Sequence, residues 1–216
     1  MIKFYALALS GYCTKVRIVL RIKEIAFDES LPLGGHYSSE EHQKHMPPGS
    51  IPAIEDGNLK LFDSEAIVEY LEDRWPNPPM RAVDPGVRAR QRAIAQFHNT
   101  RVEPTIRALF PLVKAGGSNI DETVRGSARQ GFDIAMEKLD SIADPTPFIG
   151  GDTPCLADCG YPATLRMGQD LFAALGVEIV FSDKITNWLA ALEAHPVIGD
   201  EVAKNRIAIA EWVKQF

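Results

Sequence analysis

The run Leu9-Ser10-Gly11-Tyr12-Cys13-Thr14-Lys15-Val16-Arg17 joins a predicted strand to a predicted amphipathic helix. Residues 2–7, which precede it, are mostly aromatic and apolar residues with a strong preference for strands. Beyond Thr14, apolar residues recur at a helical spacing, at Val16, Val19, Leu20, Ile22 and Ile25. Ser10 is therefore predicted to lie where a strand ends and a helix begins.

The start of that helix is predicted to favour a negatively charged ligand. Backbone N–H groups at a helix N-terminus have no partner within the helix, and the helix dipole adds partial positive charge there. A thiolate bound at this place would be stabilised, and the Ser10 hydroxyl could donate a hydrogen bond to it. The alternative interpretation is that Ser10 only caps the helix, which is the commonest role of a serine at such a junction.

The composition predicts a protein with a full hydrophobic core that does not act on nucleic acid. Of its 216 residues, 45% are hydrophobic and 24% are charged. The formal net charge of −6, without a block of Lys and Arg, argues against DNA, RNA or an anionic membrane as the main partner. No apolar run approaches the ~20 residues of a membrane span. The N-terminus lacks the pattern of a signal peptide, so we expect a cytoplasmic protein.

The cysteines and histidines predict neither a disulfide framework nor a metal site. Cys13, Cys155 and Cys159 are few and scattered, and no pair has Cys-x-x-Cys spacing. The five histidines form no metal-binding pattern, so no metal is expected. His42 and His45 could share a helix face, but they lack a carboxylate or thiol partner and are predicted to be solvated surface residues.

The first 75 residues predict a β-α-β unit followed by α-β-β-α. The predicted strands are residues 2–7, 26–31, 53–55 and 59–62, the first two parallel across a helical crossover. Asp56-Gly57-Asn58 predicts the turn of a β-hairpin. A short helix is predicted at 40–45, and a longer one starts at Ser64, which we expect to be its N-cap. These elements form a small four-stranded sheet with helices on its faces.

The rest of the chain is predicted to be helical. Trp75-Pro76-Asn77-Pro78-Pro79 interrupts regular structure, so the domain boundary is placed there. The predicted helices are 87–114, 121–142, about 155–174, 183–194 and 198–213. The first of them should bend at Pro104, because proline removes a backbone hydrogen bond.

This layout resembles a cytosolic glutathione transferase over essentially the whole chain. The resemblance implies a thioredoxin-like domain with a mixed four-stranded sheet at 1–75, a linker at 76–84 and an all-helical domain at 85–216. The run from Ser10 to Arg17 looks like the serine-type active-site segment of theta, zeta and many bacterial classes. It is also similar to the Cys-Pro-Tyr-Cys of glutaredoxins, with Ser10 in the nucleophile's place. The implied role of Ser10 is to hold the sulfur of glutathione, and Cys13 is the rival.

Two further segments of the resemblance concern glutathione itself. Gly49-Ser50-Ile51-Pro52-Ala53-Ile54 is similar to the family's Val-Pro loop, which implies a cis Pro52 and pairing of the Ile51 backbone with the cysteinyl part. Asp63-Ser64-Glu65-Ala66-Ile67 resembles the family's Glu/Gln-Ser-x-Ala-Ile. It implies that Ser64 and the helix N-terminus receive the γ-glutamyl carboxylate and that Asp63 receives the ammonium group.

Two more positions follow from the resemblance. His36, after Gly34-Gly35, resembles a histidine that approaches the glycyl carboxylate in theta-like enzymes, and Lys44 or His45 are its substitutes. In Gly151-Asp152-Thr153-Pro154-Cys155-Leu156-Ala157-Asp158, relatives usually have Ser or Thr where Cys155 stands, completing a capping box. Cysteine is a weaker acceptor, which suggests that Thr153 replaces it as the cap.

The resemblance implies an enzyme that promotes attack of the glutathione thiolate on a small, apolar electrophile. Lowering a thiol pKa by ~2 units needs about 2.7 kcal/mol. A hydroxyl hydrogen bond to an anion contributes ~1.5–3 kcal/mol and the helix dipole ~0.3–1 kcal/mol, which suffices. Tyr5 and Tyr12 are alternative donors, but Tyr5 lies within the strand and Tyr12 is predicted to point away.

Several points remain open from the sequence. The electrophile pocket is predicted between the two domains, with Leu9, Arg107 and Phe110 as candidates. A glutathione-dependent isomerase or dehalogenase would use the same thiolate, whereas a thiol-disulfide exchanger would use Cys13. A non-catalytic carrier or regulatory protein would bind glutathione without turnover. The family's usual state, a two-fold homodimer, is implied as well.

Overall fold

The computed structural model describes residues 1–216, and its four strands form one mixed sheet in the order β2-β1-β3-β4. The strands are β1 (Ile2–Tyr5), β2 (Phe27–Ser30), β3 (Ala53–Asp56) and β4 (Leu59–Phe62). β1 pairs in parallel with β2 and antiparallel with β3, and β3 and β4 form the predicted hairpin. The predicted sheet is confirmed, although β1 ends two residues before the predicted end.

Three helices accompany the sheet: α1 (Gly11–Ile22), α2 (Glu40–His45) and α3 (Ser64–Arg74). Val16, Val19 and Leu20 of the apolar face predicted for α1 are buried, and α1 packs against α3 and against the last helix of the chain. At the start of α3 the structure differs from the prediction. Ser64 is the first helical residue, and Asp63 occupies the N-cap position with a positive φ of 65°.

The remaining helices follow in sequence: α4 (Pro85–Phe97), α5 (Glu103–Arg107), α6 (Leu109–Lys114), α7 (Glu122–Ile142), α8 (Tyr161–Ala174), α9 (Asp183–Ala194) and α10 (Pro196–Val213). Together with the sheet they confirm the predicted fold class. Regular structure stops at Arg74 and resumes at Pro85, on either side of the predicted linker 76–84; the domain limits themselves stay a prediction. No helix has the length and apolar character needed to cross a membrane.

The predicted helix 87–114 is divided by a π-helical turn at His98–Val102, just before Pro104. In this turn the Glu103 N–H donates to the carbonyl of His98, one residue further back than in an α-helix. The same wider pattern would pair the Asn99 carbonyl with Pro104, which has no N–H to donate. The Asn99 carbonyl instead accepts a hydrogen bond of 3.2 Å from the Tyr12 hydroxyl. Pro104 thus shapes the contact between α1 and the helical part of the chain.

One hydrophobic core runs from the sheet into the helices and fixes the two parts relative to each other. It includes Phe4 and Ile54 from the sheet, Val16 from α1, and Leu165 and Trp188 from the helical part, all of them 0–1% exposed. Because the core is continuous, the surfaces that the two parts present to each other form a defined cleft.

The two histidines of α2 are not solvated surface residues, so that prediction is wrong. His42 is fully buried, and the His45 ring bonds the carboxylate of Glu55. Both rings pack edge-on against Tyr5, with centroids 5.7 and 5.9 Å from the tyrosine ring. His42 is the one buried residue of α2, and its packing against Tyr5 of the sheet is not revealed by the polar sequence of the helix.

The predicted cap at Thr153 is also wrong, because Thr153 is exposed and Cys155 itself occupies the N-cap of the short turn 156–158, in a capping box with Asp158. The buried Asp158 carboxylate accepts hydrogen bonds from backbone N–H groups, at 2.9 Å from Cys155, 2.9 Å from Ile149 and 3.2 Å from Gly150.

No group of three or more His, Cys, Asp or Glu residues is arranged to hold a metal ion.

Candidate active site

A cleft of about 860 Å³ lies between the sheet and the helical part of the chain. Nine of the ten residues predicted for the site line it: Leu9, Ser10, His36, Ile51, Pro52, Asp63, Ser64, Arg107 and Phe110. They come from loops and helix ends far apart in sequence, and the fold brings them together. The tenth, Cys13, does not line the cleft.

Ser10 occupies the N-cap of α1 and is only 3% exposed, at the wall of the cleft. Its Oγ accepts hydrogen bonds from the Cys13 N–H at 3.4 Å and from Arg107 Nη2 at 3.5 Å. A serine hydroxyl has two acceptor positions and one donor hydrogen. Since both protein bonds use its acceptor positions, the hydroxyl hydrogen is available for a ligand in the cleft.

Cys13 lies one turn inside α1 and is completely buried. Burial raises the pKa of its thiol, although Ser10 and two arginines act in the opposite direction. A thiol that stays protonated is a poor nucleophile, and this one has no surface in the cleft. Cys155 and Cys159 are likewise buried, and burial raises the pKa of each. The geometry therefore favours Ser10 over Cys13 as the residue beside a bound sulfur.

Two loops line the cleft on the sheet side. The Ile51–Pro52 peptide is cis, as the resemblance implies, and both residues line the cleft. Asp63 forms no capping hydrogen bond with α3, although it stands at the N-cap position. Its carboxylate is thus available to a cation, directly beside Ser64 and the free N–H groups at the start of α3.

The two tyrosines considered as alternative donors are both engaged elsewhere. Tyr12 lines the cleft, contrary to the prediction that it points away, but its hydroxyl donates to Asn99. Burial, followed by the charge of Glu103, raises the pKa of Tyr12 to about 12. Tyr5 donates to Glu55 at 2.6 Å, and burial with that bond raises the pKa of Tyr5 to about 12. Neither phenol is placed to stabilise a thiolate.

The helical wall of the cleft carries two cations. Arg107 lies with its guanidinium 4.9 Å from the centre of the Tyr12 ring, and its Nε is 3.3 Å from the carboxylate of Glu103. Glu103 is fully buried and accepts a bond of 2.5 Å from Thr164; burial raises the pKa of its carboxyl. Lys114 also lines the cleft, 5.9 Å from the ring of Trp212.

Sequence reasoning missed some of these residues. Lys114 follows Arg107 by seven residues, which places both on one face of a helical stretch, so the spacing could have indicated it. Trp212, whose ring centre lies 4.8 Å from that of Phe110, comes from α10 and gave no such signal. Asn99 gave none either, because the π-helical turn determines its position.

Comparison with known proteins identifies the family. Residues 4–79 match the family model described as "Glutathione S-transferase, N-terminal domain". The maleylacetoacetate isomerase of Pseudomonas aeruginosa is 30% identical over 204 residues, covering 90% of this chain and 92% of the isomerase. The chain belongs to the glutathione transferase family.

Other similar proteins agree with that assignment. The maleylpyruvate isomerase of a Ralstonia species is 33% identical over 169 residues, which are 73% of this chain and 77% of the relative. Human glutathione-S-transferase T1-1 in its apo form matches with a TM-score of 0.81 at 22% identity, covering 100% of this chain and 92% of the human one. The structural match shows that the transferase fold extends over the entire chain.

Proposed function

We propose that this protein binds reduced glutathione in the cleft and promotes attack of its thiolate on a small electrophile. The observation that supports the proposal is the hydrogen bonding of the Ser10 hydroxyl. Its hydroxyl accepts bonds from Cys13 N–H and Arg107, and so keeps its own hydrogen for an anion. This hydroxyl stands at the N-terminus of α1, where the helix dipole adds to the stabilisation of negative charge.

Each part of glutathione has a place in the proposed complex. The cysteinyl backbone pairs with Ile51 beside Pro52, the γ-glutamyl carboxylate binds Ser64 and the start of α3, and the ammonium group binds Asp63. The glycyl carboxylate approaches His36, whose Nδ1 is 2.7 Å from the hydroxyl of Ser38.

The substitutes considered for His36 fit less well. Lys44 is exposed and forms an ion pair with Glu40, and the His45 ring bonds Glu55. Neither Lys44 nor His45 lines the cleft.

The first test is binding of glutathione measured by calorimetry, with Ser64→Ala as the variant. The loss of a hydrogen bond to the γ-glutamyl carboxylate is expected to weaken glutathione binding about 10-fold. Ser127→Ala, on the exposed surface of α7, is the matched control and should bind like the unsubstituted protein. No uptake of glutathione would contradict the proposal. Binding without turnover of any electrophile would instead favour the non-catalytic carrier.

A glutathione-dependent isomerase is the second candidate, and the two cations of the helical wall favour it. Arg107 and Lys114 lie on the side of the cleft that the electrophile would occupy, and Phe110 and Trp212 add apolar surface beside them. This combination suits an unsaturated substrate that carries a carboxylate. Maleylacetoacetate, named for the Pseudomonas relative, belongs to that chemical class.

Replacement of Lys114 separates the two candidates. In Lys114→Gln, KM for maleylacetoacetate should rise about 5-fold, because a charged partner of the substrate carboxylate is lost. Conjugation of the neutral electrophile chlorodinitrobenzene should stay within about 2-fold of the unsubstituted protein. Lys138→Gln on the exposed side of α7 is the control. If Lys114→Gln impaired the reactions of maleylacetoacetate and chlorodinitrobenzene equally, the result would contradict a role of Lys114 in binding a substrate carboxylate.

We also propose the two-fold homodimer and the cytoplasmic location that are usual for the family. Sedimentation velocity determines the first of these, and fractionation of cells the second.

A further inference from the structure

The buried ring of His42 contacts the loop that carries Ile51 and Pro52. His42 Nε2 donates to the carbonyl oxygen of Ser50 at 3.3 Å, and Ser50 lines the cleft directly before the Ile51–Pro52 peptide. The side chain is 0% exposed, and its Nδ1 has no protein hydrogen-bond partner. The Ser50 carbonyl takes part in no backbone–backbone hydrogen bond, so His42 is its one protein partner.

Asn205 makes the corresponding contact from the other part of the molecule. It lies on α10, is 1% exposed, and donates from Nδ2 to the carbonyl of Ala8 at 3.0 Å. Ala8 lies in the turn between β1 and α1, two residues before Ser10, and its carbonyl has no backbone partner either. The Oδ1 of Asn205 is buried without a protein partner.

In each side chain a second polar atom, Nδ1 of His42 and Oδ1 of Asn205, is buried without a protein partner. A buried polar atom without a partner costs free energy, and an apolar side chain of similar volume would fill either position without that cost. What an apolar residue could not supply is the single hydrogen bond to the loop carbonyl. Packing alone therefore does not explain a histidine at 42 or an asparagine at 205.

From this geometry we propose that His42 and Asn205 are positioning residues for two different parts of the site. His42 holds the loop that binds the cysteinyl backbone of glutathione. Asn205 holds the turn that carries Ser10, and it does so from the helical part of the chain. The inference rests on the proposed function for the roles of the two loops, whereas the two hydrogen bonds are independent of it.

The two roles predict different kinetic effects. His42→Leu should raise both the Kd and the KM for glutathione about 5-fold, with kcat within about 2-fold, since only the binding loop loosens. Asn205→Leu should lower kcat about 5-fold and raise the pKa of the bound thiol, with KM for glutathione within about 2-fold, because the Ser10 hydroxyl is displaced. Chlorodinitrobenzene serves as the electrophile in both assays.

Conservative variants distinguish positioning from packing. His42→Gln places an amide nitrogen near the former Nε2 and should restore most of the glutathione affinity. Asn205→Asp has the same size but has no hydrogen to donate when it is ionised, so above the pKa of that carboxyl it should resemble Asn205→Leu. Met46→Leu and Ile209→Val change buried packing near His42 and Asn205, respectively. Both should leave the Kd and KM for glutathione and kcat unchanged.

Hydrogen exchange on the ligand-free protein completes the test without relying on activity. The amide of Gly49, which donates to the Met46 carbonyl, should exchange faster in His42→Leu, and the amide of Ser10, which donates to the Leu7 carbonyl, faster in Asn205→Leu, each without an effect on the other loop. Unchanged exchange, equal losses of kcat and affinity in both leucine variants, or failure of His42→Gln to restore affinity would overturn the inference. If the unsubstituted protein binds no glutathione, the proposed function fails, and the exchange data still decide whether these side chains hold the loops.

Discussion

Ser10→Ala is expected to raise the pKa of the bound glutathione thiol by about 1–2 units and to lower kcat/KM for chlorodinitrobenzene at neutral pH about 10–100-fold. The lost hydrogen bond is one to an anion, which contributes ~1.5–3 kcal/mol in favour of the thiolate. The dipole of α1 and the charge of Arg107 remain in the variant, so activity should not vanish.

The pH profile of kcat/KM should shift to higher pH in Ser10→Ala. The thiolate reacts, so kcat/KM rises as the pH passes through the pKa of the bound thiol and then levels off. Removal of the Ser10 hydroxyl destabilises the thiolate and moves that rise to higher pH. The difference in kcat/KM between Ser10→Ala and the unsubstituted protein should therefore narrow at a pH above the bound-thiol pKa of both proteins. Ultraviolet titration of the thiolate in the binary complex measures the same shift without an electrophile.

Two variants serve as controls for the role of Ser10. Ser10→Thr keeps a hydroxyl at the N-cap of α1 and should retain most of the activity. Cys13→Ala should conjugate as the unsubstituted protein does, because the Cys13 side chain has no surface in the cleft. An unchanged pH profile in Ser10→Ala, together with loss of disulfide reduction in Cys13→Ala, would support the thiol-disulfide exchanger instead.

The parts of the fold and site that the sequence predicts are those with a local signal. Ser10 and Asp63-Ser64 stand at helix starts, where the change from extended to helical periodicity can be read within a few residues. The hairpin at Asp56-Gly57-Asn58 is predicted by its turn residues alone. Ser10, Asp63 and Ser64 also line the cleft. The places of His36, Ile51 and Pro52 in the site are implied by the family resemblance and not by a local pattern.

The parts that sequence reasoning missed depend on packing between distant segments. Tyr12 faces the cleft because a carbonyl 87 positions away in the sequence, that of Asn99, becomes free at the π-helical turn before Pro104. His42 is buried because the polar helix α2 packs on Tyr5 of the sheet. Neither residue differs by type or spacing from a surface residue, so no pattern within its own helix could have revealed it.

Asp158→Ala is expected to reduce the free energy of unfolding by about 3–5 kcal/mol, because several buried donors lose their acceptor at once. The carboxylate is 0% exposed and accepts from the Trp188 indole N–H at 2.8 Å, besides the N–H groups of Ile149, Gly150 and Cys155. Trp188 is itself 1% exposed within the core, so water cannot replace the lost partner without disturbing the packing.

The design of this test separates stability from chemistry. Asp158→Asn keeps one acceptor oxygen for some of the N–H donors but turns an NH₂ group toward the others. Its loss in free energy of unfolding should therefore be smaller than that of Asp158→Ala. Asp152→Ala, an exposed neighbour with no hydrogen bond to lose, should change stability by less than about 0.5 kcal/mol. Urea unfolding measures all three, and a loss below about 1 kcal/mol in Asp158→Ala would contradict the prediction. Because Asp158 does not line the cleft, folded Asp158→Ala at low temperature should keep the unsubstituted thiol pKa, whereas Ser10→Ala should change that pKa and leave the core intact.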